Sequence, residues 1–347
     1  MSSETFSFIV IGAGPAGIAA VGKLIDNGVH PHKIAWIDPF FEVGDLGKKW
    51  QEVSSNTKVD LFLKFLHDVK SFNYDLNSKH FSINTLPREN TCLLKEIAEP
   101  LQFITDDLKK RVKIFTTTAV ALNLFDNRWE VKTENSKIYG KNVILAIGCE
   151  PKKLEYSNLE EIPLEIALNP RKLKENIHPK DHVAVFGSSH SAILILSNLL
   201  NLDLHVVNFY RSPLLYAVDL GNWLLFDNTG LKGYAASYAK EHLDGALPKK
   251  LQRVLSSDHL FEEHLSKCNK AVYAVGFKRR KLPVLEQYSE LDYNPRTGII
   301  APGLFGYGIA FPEVAYDPIM NLEHRVGLWK FMEYLNRVMP IWLKYSN

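Results

Sequence analysis

The feature that most restricts what this chain can fold into is Phe6-Ser-Phe-Ile-Val-Ile-Gly12-Ala-Gly14-Pro15-Ala16-Gly17-Ile-Ala-Ala, an apolar run that breaks on spaced glycines and resumes with helical periodicity. It predicts a strand, a phosphate-binding turn and a helix. Gly12 permits the tight turn, Gly14 lets the backbone approach a pyrophosphate, and Gly17 lets the helix pack closely on the strand. The amides of the helix N-terminus then face the anion. Lys33-Ile-Ala-Trp-Ile-Asp38-Pro39 supplies the second strand such a motif requires, ending about 20 residues on in an acid placed to accept a hydrogen bond from a ribose.

The rest of the chain permits a large core. At 347 residues, 46% hydrophobic and 23% charged, it is long enough for two domains and too apolar for disorder. The formal charge of +2 comes from 41 basic and 39 acidic residues that are interspersed, so no basic stripe invites nucleic acid. The start, Met-Ser-Ser-Glu-Thr, lacks a positive leader, and Phe6 to Ile11 is too short for a membrane span; the cytoplasm is the expected compartment. Cys92, Cys149 and Cys268 are isolated, which argues against a disulfide scaffold, a zinc knuckle and a dithiol centre. His178, His182 and His205 are dispersed without ligand spacing, and no metal site is expected.

Along the chain, Gly44 to Thr57 reads as a polar loop of functional length, Lys58 to Phe65 as a short core element, and Leu93 to Leu108 as an amphipathic helix. Short β-rich runs from Val112, Ala119, Arg128 and Lys137 predict a small meander. It feeds Asn142-Val-Ile-Leu-Ala146-Ile-Gly148, a parallel strand whose end, at Ala146 and Gly148, faces a ligand. From Pro151 to Lys180 charge and proline rise, which marks a crossing between domains.

A second turn follows in His182-Val-Ala-Val-Phe-Gly187-Ser188-Ser189-His190-Ser191-Ala192, with a helix expected over Ile193 to Leu200. Serine in place of the middle glycine keeps the side chain small and adds a donor for phosphate. The next strand, Leu204 to Tyr210, ends in Arg211-Ser212 rather than in an acid. An arginine there pairs with a 2′-phosphate and selects NADPH over NADH, the alternative being a solvated strand-end charge. His190 is expected to contact the coenzyme or cap the helix rather than to act as a base. Asp219 to Lys250, with Trp223, Phe226, Tyr234 and Tyr238, reads as a lid or substrate wall, or as aromatics packing on their own domain. Asn269 to Gly276 is a third strand ending on glycine, Gly303 to Gly308 a last strand running into a turn, and Asp317 to Leu335 a closing helix. The expected fold class is α/β, with two Rossmann-like three-layer dinucleotide-binding domains. The first spans 1–155 and 271–347, and the second, 156–270, is inserted into it.

One dinucleotide domain set within another, with these motifs, resembles the two-dinucleotide-domain flavoproteins, and the likeness covers nearly the whole chain. It implies FAD in the first site and NAD(P)H in the second. Within that superfamily, Gly47-Lys-Lys-Trp50 followed by Ser54-Ser-Asn56-Thr57 is similar to a passage of the flavin-containing monooxygenases whose asparagine lies by the flavin, although Leu46 stands where they carry a glycine. Tyr316 to Arg325 resembles the N-hydroxylating monooxygenases. Gly308-Ile309 lacks the Gly-Asp pair of the disulfide reductases. The resemblance implies hydride transfer from NADPH to flavin N5, addition of O₂ at C4a, and oxygenation of a soft nitrogen or sulfur of a small molecule by the hydroperoxide. Asn56 is the candidate catalytic residue, since an amide donates without changing protonation. Two rival readings are a flavin reductase that passes electrons to a protein or quinone and a nucleotide-binding sensor without turnover. The sequence does not name the substrate or choose between a monomer and a homodimer.

Overall fold

In the computed structural model, which describes residues 5–285, 287 and 292–346, the chain forms two main sheets. The nine-stranded sheet has a parallel centre. Lys113–Phe115, Ile34–Ile37, Thr5–Ile11 and Lys137–Leu145 lie side by side in that order. Phe8 and Val10 face one apolar cluster and Ile9 and Ile11 another, so both faces of the first strand are covered and its sequence is continuously apolar. Helices Pro15–Asp26, Val59–His67, Lys95–Arg111 and Leu328–Trp342 cover one face; the hairpin Ala119–Phe125 and Arg128–Thr133 lies toward the other with Trp129 at its centre.

The five-stranded sheet is parallel throughout and runs Glu160–Glu161, Lys270–Tyr273, His182–Phe186, His205–Tyr210, Leu251–Leu255. Its last four strands repeat the order of the four parallel strands in the larger sheet. The helix His190–Asn201 packs on one face through Ala192, Ile193 and Leu196, and the stacked rings of Tyr156, Phe186 and Phe209 lie on the other. Between the sheets the chain crosses twice, and the two crossings pair with each other: Cys149–Pro151 runs antiparallel to Phe277–Arg279.

The structure departs from the sequence expectations in several places. The run from Val112 does not join the meander; Lys113–Phe115 forms the outer parallel strand beside Ile34–Ile37. The runs from Lys137 and from Asn142 are one strand, antiparallel to Arg128–Thr133 over its first half and parallel to Leu304–Gly306 over its second. The expected boundary at 270/271 falls within the strand Lys270–Tyr273, which pairs with His182–Phe186 in the second sheet. Asp219 to Lys250 contains a short hairpin, Val218–Asp219 with Leu224–Leu225, and a regular helix, Gly233–His242, that buries Ala235 and Ala239. The closing helix begins only at Leu328. Before it, Glu313–Tyr316 and Leu322–Arg325 form a hairpin, because the Asp317 carboxylate accepts the amides of Ile319 and Asn321 and holds a turn where a helix was expected.

Candidate active site

Both glycine turns are built alike. At the first, Gly12 (φ +109°) donates its amide to Ile37 O at 2.8 Å, and a Cβ on it would meet Ala146 O at 2.3 Å. At the second, Gly187 (φ +124°) donates to Phe209 O at 2.8 Å, and a Cβ would meet Ala274 O at 2.3 Å. Each turn therefore fits only glycine at that point. Each is also held by a buried side chain that sequence reading missed. Trp36 Nε1 donates to Gly12 O (2.9 Å) and Asn208 Nδ2 to Gly187 O (2.7 Å), from equivalent places, each one residue before the residue whose carbonyl accepts the glycine amide. Asn208 Oδ1 in turn accepts from Arg253 Nε at 3.1 Å. A buried asparagine in an apolar strand was the available signal, since a polar side chain there needs backbone partners.

The residues expected around the first turn converge at the ends of the central strands. Gly14 precedes the helix that Pro15 opens; a Cβ on Gly14 would meet only Gly44 Cα, at 4.0 Å. This leaves a slot without side chains beside a helix N-terminus, the shape a pyrophosphate needs. Gly308 (φ +79°) packs on the Ala16 methyl, and Gly17 follows in the same helix turn. Asp38 differs in its surroundings from the sequence expectation. Its Oδ2 accepts from Ala13 N (2.7 Å), and its Oδ1 from Phe40 N (2.8 Å) and Phe41 N (2.7 Å). Three of about four carboxylate acceptor positions are thus spent on the fold, leaving one for a ribose hydroxyl. Pro39 beside it is exposed.

Gly148 and Gly276 sit in the crossing, where Arg280 N donates to Gly148 O (3.2 Å) and Lys152 N to Gly276 O (2.9 Å). The Arg280 guanidinium pairs with Asp45, on the short helix Gly44–Lys48, at 2.5 Å. Trp50 meets Phe277 edge-on at a ring separation of 6.4 Å and packs toward the apolar cluster of the five-stranded sheet, so it lies at the seam between the sheets.

Around the second turn, Ser188 Oγ donates to Ser212 O (3.1 Å), which brings Arg211-Ser212 over Gly187. Arg211 is exposed and makes no ion pair among the described residues. Strand register sets Asp38 opposite in role to Tyr210, so Arg211 occupies the place of Pro39 rather than of the acid. Ser189 precedes the helix, and His190 and Ser191 are its first two residues, three positions earlier than the sequence suggested. His190 does not cap this helix. Its Nε2 donates to Ser54 O at 2.8 Å, on the strand Ser54–Lys58 that carries Asn56, and its Nδ1 is buried without a partner among the described residues. Burial, with Lys232 adding to it, pushes the imidazole below its ordinary value, so it is neutral near pH 7. Asn56 is exposed; its Oδ1 accepts from Thr57 Oγ1 at 3.3 Å.

A family model for the pyridine nucleotide-disulphide oxidoreductases matches residues 9–296, both turns included. The chain belongs to that family. It is a monooxygenase-like oxidoreductase of the flavin- and pyridine-nucleotide-dependent kind. It is 35% identical over 382 residues to monooxygenase AgnR1 of Paecilomyces divaricatus, covering 96% of this chain and 97% of that one. Its fold is that of the ornithine N-hydroxylase of Kutzneria sp. 744 (TM-score 0.69, 11% identity, 99% of this chain and 100% of the other). It is also that of a flavin-containing monooxygenase from Stenotrophomonas maltophilia (0.65, 13%, and the same coverage). Cys92, Cys149 and Cys268 are all free thiols, and the sequence carries no Cys-x-x-Cys pair. Among the described residues no helix is long and apolar enough to cross a membrane, and no group of histidine, cysteine or acidic side chains is placed to hold a metal.

Proposed function

We propose that this family member is an FAD- and NADPH-dependent monooxygenase that uses O₂ to oxygenate a soft nitrogen or sulfur of a small molecule. The observation that carries the reading is the presence of two glycine turns of one construction in a chain 35% identical, end to end, to a protein named a monooxygenase. The unit 1–155 with 271–347 would hold FAD and the inserted unit NADPH, with the return crossing moved to the ribbon at Phe277–Arg279.

The Gly14–Gly44 slot and the helix amides of Ala16 and Gly17 would take the FAD pyrophosphate, Asp38 a ribose hydroxyl, and Ala146, Gly148 and Gly308 the surrounding wall. The backbone amides of Gly187 to Ser191 would take the NADPH pyrophosphate, with Arg211 and Ser212 at the 2′-phosphate and Gly276 at the crossing. Bound flavin supplies the redox chemistry, accepting hydride from the nicotinamide and activating O₂. The protein's part is placement and exclusion of water. Asn56 suits this, because its Nδ2 has two N–H donors and no partner among the described residues, while its Oδ1 is held by Thr57.

Coupling is the test. With an oxygenated substrate, wild type should consume NADPH and O₂ in step with ¹⁸O incorporation from ¹⁸O₂. Asn56→Ala should leave anaerobic flavin reduction nearly intact and divert electrons to hydrogen peroxide, because losing one donor at a developing charge costs about 2.7–4 kcal/mol at most. Stoichiometric peroxide from wild type with every amine and thioether tried would establish a reductase instead.

A further inference from the structure

We infer that His190 is a positioning residue: its bond to Ser54 sets the second glycine turn against the strand that carries Asn56, and so sets where the nicotinamide meets the flavin. This rests on the reading of the two turns just given.

Between the two turns, the first helical residue differs. The first has Pro15 there, with no polar side chain; the second has His190. The turn at Gly187 does not need that ring, because Phe209 O and Asn208 already hold it. The ring instead reaches a carbonyl 136 residues away in the chain. To donate from Nε2 the neutral imidazole must carry its proton there, which leaves Nδ1 a bare acceptor, and Nδ1 is buried with no donor to it among the described residues. Among the described residues the Ser54 bond is thus the one polar contact of the ring. Ser54 is also where the seam between the sheets is packed. Val53 belongs to the apolar cluster of the second sheet, Trp50 packs toward it, and a Cβ on Gly233 would strike Thr91, whose strand pairs with Ser54–Lys58. Apolar contact fixes the separation of the two units, while a directed hydrogen bond fixes their register, and hydride transfer is sensitive to small misplacements.

The test compares His190→Ala with His190→Gln, whose amide Nε2–H reaches a similar distance. In the flavin-loaded protein, the alanine variant should keep its FAD and bind NADP⁺ within about two-fold of wild type. Flavin reduction at saturating NADPH should slow by about ten- to a hundred-fold, and amide hydrogen exchange over Ser54–Lys58 should rise. Glutamine should restore most of both. Weaker NADP⁺ binding that glutamine does not rescue would make His190 a coenzyme ligand, and unchanged reduction and exchange would show that the bond positions nothing; either overturns the inference alone. A wild-type flavin that NADPH cannot reduce would overturn the functional reading and this inference together.

Discussion

Gly14 and Arg211 are the two residues on which cofactor choice can be tested without disturbing the fold. Gly14 has φ −76° and open space around its Cβ direction, so valine fits the backbone there and fills the slot proposed for phosphate. Gly14→Val should therefore give a folded but colourless protein, seen as an intact circular dichroism spectrum without flavin absorbance; full flavin content in the variant would refute the site. Arg211 is exposed and free of ion pairs among the described residues, so Arg211→Ala should leave stability unchanged. It should weaken NADPH by about 1.5–3 kcal/mol and NADH hardly at all, measured as the ratio of their KM values. Equal losses for both coenzymes would remove Arg211 from the phosphate site. Such residues stand out in the sequence as candidates because glycine and charge at fixed offsets have few alternative meanings. Trp36, Asn208 and the Ser54 contact of His190 do not, since each depends on which strand end comes to lie beside which turn.

One element, the segment between the hairpin at Val218–Asp219 and the helix at Gly233, is tied to the C-terminal region by a compact charge cluster. Asp227 pairs with Lys232 (2.7 Å) and Lys330 (2.5 Å); Asn228 accepts from Lys330 Nζ (2.6 Å) and donates to Glu323 (2.7 Å). Burial works against the Asp227 charge, but the two lysines outweigh it and hold the carboxyl below its ordinary value. A depressed carboxyl stabilises fully above its unfolded pKa, about 3.9, and loses that contribution as pH falls through the lower folded value. The clamp should thus hold at neutral pH and release in strong acid, observed as proteolysis of 219–232; burial also lowers the Lys330 ammonium from its ordinary value, so strongly alkaline pH removes that partner as well. Asp227→Asn should cost about 1–3 kcal/mol at pH 7, less than a fully buried pair because 28% and 16% of the two side chains stay exposed. Asp227→Asn with Lys330→Met should recover most of it. At this scale sequence reading succeeded where one period dominates, as in Thr5–Ile11 and Pro15–Asp26. It failed at Asp317 to Arg325, where apolar residues at near-helical spacing were overruled by one carboxylate binding the backbone two and four residues ahead.

For the whole molecule, the sequence allowed two dinucleotide units to be read because each announces itself locally, by a glycine turn after an apolar strand. The way they join was hidden, because Cys149–Pro151 and Phe277–Arg279 are too short and too polar to signal a strand pair across so long a stretch of chain. Their pairing has a consequence for how such a chain tolerates change. Seen from the nine-stranded sheet, everything between the two ribbon strands is the loop of a single β-hairpin. Loop-closure entropy grows only with the logarithm of loop length, by about 0.6 kcal/mol per doubling, and a folded insert whose ends already lie together escapes even that. The outer unit is therefore nearly indifferent to the size of what it encloses, and the ribbon is the natural suture at which one coenzyme module could be grafted in place of another.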